Sequence, residues 1–457
     1  MELIGQGIIY LMMTFVIIGA VSAVIDDTRG FGREFKEGIY SIGPIFLPVA
    51  GVMIFLPILT DLMRKFVAPV YGWFHADASV AATTVIAGDL GGYQLAEQTA
   101  ASHGIWMLAF AVSMTAGATL IYSIPVGLAM LDKRDHKYLA LGMMSGLLTI
   151  PIAVLVTMLV LQFTSTSLRD VVSTDAESTR PFDLPMSDLF LNLAPLTVLM
   201  ALLALGLRFF TPFMVKLFMV LGRALDAVLK VGVAAAIVEY FTGVFSTILG
   251  GWILDPFIAD EADQFRALEI AGYIGILLAG AFPMVYAIRT WGHRPLNRMG
   301  RRFGFSEEGA AGVIAGAVNI QALYRLIQLM PPRDKVLCTA FAVCAAYSLG
   351  DHLAFIANFQ PNMVFPLVLG KLVAGVLAMM LAVKLSLPEA RRLEALDREA
   401  GVIGEGEYMP AMAATTPAPG FAGSGLDTRL ADDSIRQGGR SVEPPPDNVS
   451  ASSRGTD

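Results

Sequence analysis

Asp89 stands in the run Gly88-Asp89-Leu90-Gly91-Gly92-Tyr93-Gln94, inside a Gly/Ala-rich stretch that alternates with strongly apolar ones. A carboxylate at membrane depth costs about 2.5–3.5 kcal/mol on insertion scales, so its presence demands a partner. The chemistry on offer is cation binding. Glycines on both sides let a helix break, the break frees carbonyls, and the negative end of the preceding half-helix adds to the carboxylate charge. Tyr93 reads either as a cation–π face for the same ligand or as a packed aromatic, and Gln94 adds an amide. A second cluster, Ser348-Leu349-Gly350-Asp351-His352 with Asn358 beyond it, interrupts an apolar segment. Asp351 beside His352 reads as a proton-responsive pair, because a neighbouring carboxylate favours the imidazolium, or as ligands of a coupling ion or the substrate, against a plain interior histidine.

The element carrying Asp89 has a counterpart about 230 residues later. Ile86-Ala87-Gly88-Asp89 is echoed by Ile314-Ala315-Gly316-Ala317, which leads to Asn319 and Gln321. Ala109-Phe110-Ala111-Val112 recurs as Ala340-Phe341-Ala342-Val343, Leu141-Gly142 as Leu369-Gly370, and Ile42-Gly43 as Ile274-Gly275. Paired apolar segments interrupted by glycine in two halves of a chain point to the binding site of a secondary transporter. The site is then asymmetric, a carboxylate facing amides.

Composition fixes the solvent. The 457 residues are 55% hydrophobic and 16% charged, against about 25% charged in soluble domains, and the mean hydropathy is +0.63. Nine segments are long and apolar enough to span a bilayer: 4–25, 42–63, 103–131, 138–163, 187–207, 224–250, 267–289, 335–358 and 362–386. Two weaker ones, 78–98 and 306–328, are interrupted by polar groups. Arg294, Arg298, Arg301 and Arg302 place the link 290–305 in the cytoplasm, as do Lys133, Arg134 and Lys137 for 132–137. The links 251–265 and 164–186 are acidic or neutral and belong outside, with the N-terminus. These assignments agree only if each weak segment enters and leaves on one face, the first from outside and the second from the cytoplasm. The expected fold is therefore an all-α polytopic membrane protein of two inverted-topology repeats, each with a Gly-rich broken or re-entrant segment. It has about nine spanning helices plus two hairpins, or eleven spans if the weak segments cross fully. Arg64 and Lys65 fall outside in this scheme, with Asp61 near them.

The expected divisions are 1–186 as the first repeat, 187–223 as a connecting helix and cytoplasmic link, 224–390 as the second repeat, and 391–457 as a cytoplasmic tail. From about residue 400 the chain is rich in Pro, Gly, Ser and charge and is predicted to be disordered. Cys338 and Cys344 share one apolar segment and read as core residues rather than a disulfide. Lys371 reads as a partner for a midplane carboxylate or as a snorkelling cation, and Glu97 as a surface acid or part of the hairpin site. His75, His103, His136 and His293 sit at expected helix ends without metal-ligand spacing, so no metal and no cofactor is expected. No nucleophile elbow, phosphate loop or dinucleotide fingerprint is present, which argues against an enzyme. No basic, aromatic-interleaved patch suggests nucleic acid.

Taken together these residues resemble the ethanolamine permeases of bacterial ethanolamine-utilisation operons. The resemblance rests on Gly88-Asp89-Leu90-Gly91-Gly92-Tyr93, on Ser123-Ile124-Pro125-Val126, and on Ala340 through Gly350-Asp351-His352-Leu353. Phe365-Pro366 and Gly370-Lys371-Leu372 extend it, so that it covers about residues 1–390. The chain departs from the family pattern at Gln321, where a proline after Ile320 is expected, and in its longer tail. The resemblance implies a carrier in the bacterial inner membrane for protonated ethanolamine. Asp89 and Asp351 would serve the ammonium, and Asn319, Gln321 or Asn358 the hydroxyl. A coupling ion and a homo-oligomer stay open. So do two other readings, an ion-coupled carrier for a nucleoside or amino acid and a membrane scaffold working through its tail. Deleting 400–457 separates the last from the others: a carrier is expected to keep its uptake in proteoliposomes, a scaffold to lose its function.

Overall fold

The structure, a computed structural model, describes residues 2–261, 263–302 and 304–404. Six of the described helices are long and apolar enough to cross a membrane: Leu3–Ile25, His103–Met130, His136–Phe163, Met186–Phe209, Ala267–Gly292 and Pro361–Leu385. A seventh candidate is the pair Gly30–Met53 and Leu56–Gly72, bent by 45°. The protein is an all-α polytopic membrane protein. Among the described residues one pair of strands, Ser167–Leu168 with Arg180–Pro181, lies in the long link after His136–Phe163. Leu3–Ile25 exposes Leu3, Tyr10, Ile17, Val21, Val24 and Ile25, a surface tolerable only against lipid. His103–Met130 is instead enclosed by protein almost throughout.

Three expected spans take a different form. The segment 42–63 begins as helix at Gly30 and reaches Met53 with a turn at Ser41; Arg33, Glu34, Lys36 and Glu37 had hidden its first half. The segment 224–250 is the later part of a 32-residue helix, Thr211–Thr242, which ends at Gly243 in the left-handed region. The expected link up to residue 223 therefore shrinks to Phe210. The segment 335–358 is two helices, Pro332–Ala345 and Asp351–Phe359, separated by an unwound stretch 346–350. The tail also starts differently. Residues 391–399 belong to a helix, Leu387–Glu399, whose Asp397 accepts hydrogen bonds from Tyr138 (2.7 Å) and Lys137. The disorder expected of the tail from 405 to 457 lies outside the described residues.

Each weak segment folds back on itself. In the first, helices Ala78–Val85 and Gly92–Thr99 flank a turn at 86–91. Asp77 closes it, one carboxylate oxygen capping Ser79 N (2.8 Å) and the other accepting from Ala101 N (3.0 Å). In the second, helices Glu307–Val318 and Ile320–Ile327 meet at Asn319. There Asp334, beyond the far end, accepts from Ser306 N at the near end (2.7 Å). A Cβ added to Gly312 would collide with the Met330 methyl, so the arms lie side by side. The two hairpins start from opposite ends of the molecule. Asp77 N donates to Asn192 (2.7 Å) at the end carrying the acidic link, and Asp334 neighbours the buried pair Asp135–Lys335 at the other, basic end.

Each hairpin tip docks into a helix whose regular α hydrogen-bond ladder is broken, by π-turns in one and by unwinding in the other. The helix His103–Met130 contains two π-turns, Ser113–Gly117 and Thr119–Ser123, and its Gly117 admits the carbonyl of Ile86 where any Cβ would collide. Gly350, in the unwound stretch of the other broken helix, admits the carbonyl of Val318 in the same way, and Leu349 N donates to Ala317 O (2.9 Å). The broken helices run antiparallel, with Phe110 against Phe355 (5.9 Å between rings) and Thr119 Oγ1 donating to Val343 O (2.8 Å).

The Asp135–Lys335 ion pair spans 2.6 Å with both side chains 2% exposed. Removing one member strands a buried charge at a cost of about 3–5 kcal/mol. Lys335→Met is expected to lower stability by about that much in thermal unfolding in detergent, and adding Asp135→Leu to restore most of it.

Candidate functional site

The hairpin tips and broken helices enclose a cavity of about 270 Å³. Asp89 and Leu90 enter it from the first hairpin, Asn319 and Gln321 from the second. Tyr122 comes from the first broken helix, and Tyr347, Asp351 and His352 from the second. Glu37, Ser41, Pro44 and Pro48 on the bent helix, with Phe282, close the remaining side. Among the described lining residues three are carboxylates, Glu37, Asp89 and Asp351, and none is Lys or Arg. That balance suits a cation.

The sequence-predicted residues divide in three. Asp89, Asn319, Gln321, Asp351 and His352 converge on the cavity. Gly88, Gly91 and Gly92 shape the turn behind it. Gly91 has φ +97°, a conformation that glycine adopts freely, and Gly92 lies so close to the carbonyls of Ile86 and Ala87 that a Cβ would approach both to 2.7 Å. Tyr93, Gln94 and Asn358 lie elsewhere. Tyr93 is fully buried in a cluster with Trp106 (4.9 Å), Phe110 (4.6 Å) and Phe355 (5.8 Å), and its hydroxyl accepts from Gln360 Nε2 (2.9 Å). Asn358 donates its amide to Tyr273 O (3.0 Å) and Ala354 O (3.1 Å). Gln94 and Glu97 line a separate chamber at the acidic end.

Local bonds set what the cavity presents. Asn319 Oδ1 caps Gln321 N (2.8 Å), as expected for an asparagine starting a helix. Its NH2 has no partner among the described residues. Gln321 Nε2 donates to Tyr122 OH (2.7 Å), leaving the phenol proton and the Gln321 oxygen to other groups. Tyr122 and Tyr347 rings meet edge-on at 6.2 Å, and Tyr347 is 4.9 Å from the His352 ring. Tyr347 holds φ +62°, costly for an aromatic residue and sustained by the surrounding packing. His352 departs from expectation. Its Nδ1 lies 2.8 Å from the Nζ of buried Lys371, which also donates to Met114 O (2.5 Å), a carbonyl of the first π-turn. With the ammonium donating, Nδ1 is an acceptor and the ring proton sits on Nε2. The group beside His352 is thus a lysine rather than the carboxylate of Asp351, and Lys371 is a buried bonded residue rather than a snorkelling one.

Tyr122, Tyr347, Glu37 and Ser41 were missed by sequence reasoning. Glu37 could have been found from an acid one turn before an apolar run; the Tyr347 backbone leaves no trace in sequence. A second cavity, about 600 Å³, shares Pro48, Leu90 and Tyr122 with the first and extends to Lys133, His136, Arg223 and Asp226 at the basic end. Cys338 and Cys344 are free and buried, as the sequence suggested. No group of three metal-binding side chains occurs among the described residues.

Interrupted helices around an acidic cavity, in a chain whose described residues include six or seven apolar spans, define a multi-pass membrane protein with a polar interior. The family model described as "Ethanolamine utilisation protein, EutH" matches residues 4–385, and the chain belongs to that family. It is 36% identical over 376 residues to the probable ethanolamine permease EutH of Listeria monocytogenes, covering 82% of this chain and 92% of that one. It is 32% identical over 402 residues to the Escherichia coli protein of the same name (84% and 95%). It is also 31% identical over 377 residues to the uncharacterized protein YxeR of Bacillus subtilis (82% and 93%). No solved structure matches.

Proposed function

We propose that the chain is a secondary transporter that imports ethanolamine, as its ammonium form, across the bacterial inner membrane by alternating access. The observation that carries this reading is the cavity between the hairpin tips, with three carboxylates and no basic residue among its described lining. The ligand must satisfy one cation and one hydroxyl. Asp89 and Asp351 answer the ammonium, with the Tyr122 and Tyr347 faces beside them. The Asn319 amide and the Gln321–Tyr122 pair answer the hydroxyl. Relatives named as ethanolamine permeases support the substrate.

Membrane topology follows from the same features. The basic end, with Arg33, Lys36, Lys133 and Arg134, is cytoplasmic and the acidic end external. Gly30–Met53, Thr211–Thr242 and the broken pair Pro332–Ala345 with Asp351–Phe359 then cross alongside the six long helices, which makes nine crossings among the described residues. The two hairpins are re-entrant, one from each face. The docking of Ile86 O on Gly117 and of Val318 O on Gly350, about 230 residues apart, supports two inverted repeats. Because the larger cavity runs from Leu90 and Tyr122 to the basic end, the conformation leans toward the cytoplasm.

Uptake of labelled ethanolamine into proteoliposomes, at a pH low enough to keep the leaky neutral amine scarce, tests the reading. Asp89→Asn is expected to lose about 2–5 kcal/mol of ammonium binding, a drop of at least about thirtyfold. Undiminished uptake by a folded Asp89→Asn protein would overturn the assignment.

A further inference from the structure

A chamber of about 220 Å³ lies at the acidic end, on the far side of the first hairpin from the central cavity. Its rim includes exposed Glu97 and Gln98, and its floor is made by Met53, Leu56 and Gln94, all buried. Three carboxylates line it, Glu97, Asp255 and Asp263, against one guanidinium, Arg266. Arg266 pairs with Asp260 outside the chamber at 3.0 Å and with Asp263 inside it at 3.9 Å, which leaves Glu97 and Asp255 without an ion-pair partner within 4 Å among the described residues. Burial pushes the Asp255 carboxyl up from its ordinary range, and Arg266 pulls it partly back.

Gln94 is the independent observation. It is 6% exposed, and both its amide oxygen and its amide nitrogen are buried without a hydrogen-bond partner among the described residues. Leaving a buried amide unmatched costs about 1–3 kcal/mol per group. A leucine of similar size would avoid that cost, so as a packing residue Gln94 is a poor choice. Turned into the chamber that the residue lines, the amide would offer an acceptor for an N–H or O–H and a donor for an oxygen.

Only a thin partition separates the two chambers. Leu90 and Asp89 face the central cavity and Gln94 the outer chamber, while Pro48 and Met53 do the same on the bent helix. Between them the left-handed turn at Gly91 rests on Met53, where an added Cβ would lie 3.0 Å from Cγ. The arm Gly92–Thr99 is two turns long and joined to the tip through that turn.

We propose that the outer chamber is an access site for the same small primary-ammonium substrate, in which Gln94 binds its polar hydrogens and Glu97, Asp255 and Asp263 its charge. From there the cation passes the Met53–Gly91 partition to reach Asp89. This rests on the reading of the chain as an importer of a protonated amino alcohol.

The test is the external KM for labelled ethanolamine in right-side-out membrane vesicles carrying the full chain. Gln94→Leu and Asp255→Asn are each expected to raise KM by about tenfold, the effect of one lost charge-assisted hydrogen bond, with kcat retained. Their melting temperatures are expected to equal or exceed that of the wild type, because neither substitution removes a bonded group. If the wild type transports and both variants keep its KM, the chamber is packing and the access site is refuted. A lowered kcat at unchanged KM also refutes it. If the wild type carries no ethanolamine, the importer reading itself fails. Should Gln94→Leu not fold, Gln94→Met and Asp255→Asn decide by the same criterion.

Discussion

Backbone that leaves the helix at membrane depth must be enclosed by protein or line a wet cavity, and this constraint organises the whole molecule. Two hairpin turns and two broken helices expose carbonyls and amides that lipid would not satisfy. They satisfy one another. Leu349 N bonds Ala317 O and Lys371 donates to the Met114 carbonyl in a π-turn, while Ile86 O and Val318 O are shielded by close packing against Gly117 and Gly350. The carboxylates Asp77 and Asp334 hold the hairpin ends together. The long apolar helices wrap this polar interior and face outward with exposed side chains that suit lipid.

What the interior leaves over is the site. Among the described residues no cation lines the cavity beside Asp89 and Asp351; Glu37 at its edge pairs with Arg33 (3.8 Å), and buried Lys371 behind the wall bonds His352 and Met114. A ligand ammonium is the natural complement. Each hairpin is a short helix pair closed by a carboxylate and packed, with Val80, Leu95, Leu323 and Tyr324 buried, against the neighbouring helices.

The hairpins were legible in the sequence because glycine and polar residues interrupt otherwise apolar runs, and six spans were legible from length and hydropathy. Five of the eleven expected site residues, those carrying the charge and the capping amide, meet in one cavity. Tyr93 and Asn358 do not, because proximity in sequence to an aspartate says nothing about which side of a helix faces it; three residues after Gly91 the chain already points into another chamber. The cluster Ser348–His352 marked the break at 346–350, but the apolar runs on both sides of it together have the length of one span; the start of the second helix at Gly30 was hidden by its charges. The lysine beside His352 could not be read at all, since nineteen residues and a helix turn separate them.

The central claim is that the cavity holds a small cation by its carboxylates rather than a small polar molecule by its amides. The direct measurement is calorimetric titration of the purified protein with ethanolamine and with ethylene glycol, its neutral isostere. Saturable binding of ethanolamine with none of ethylene glycol is the result this account predicts. Equal binding of the two would contradict it.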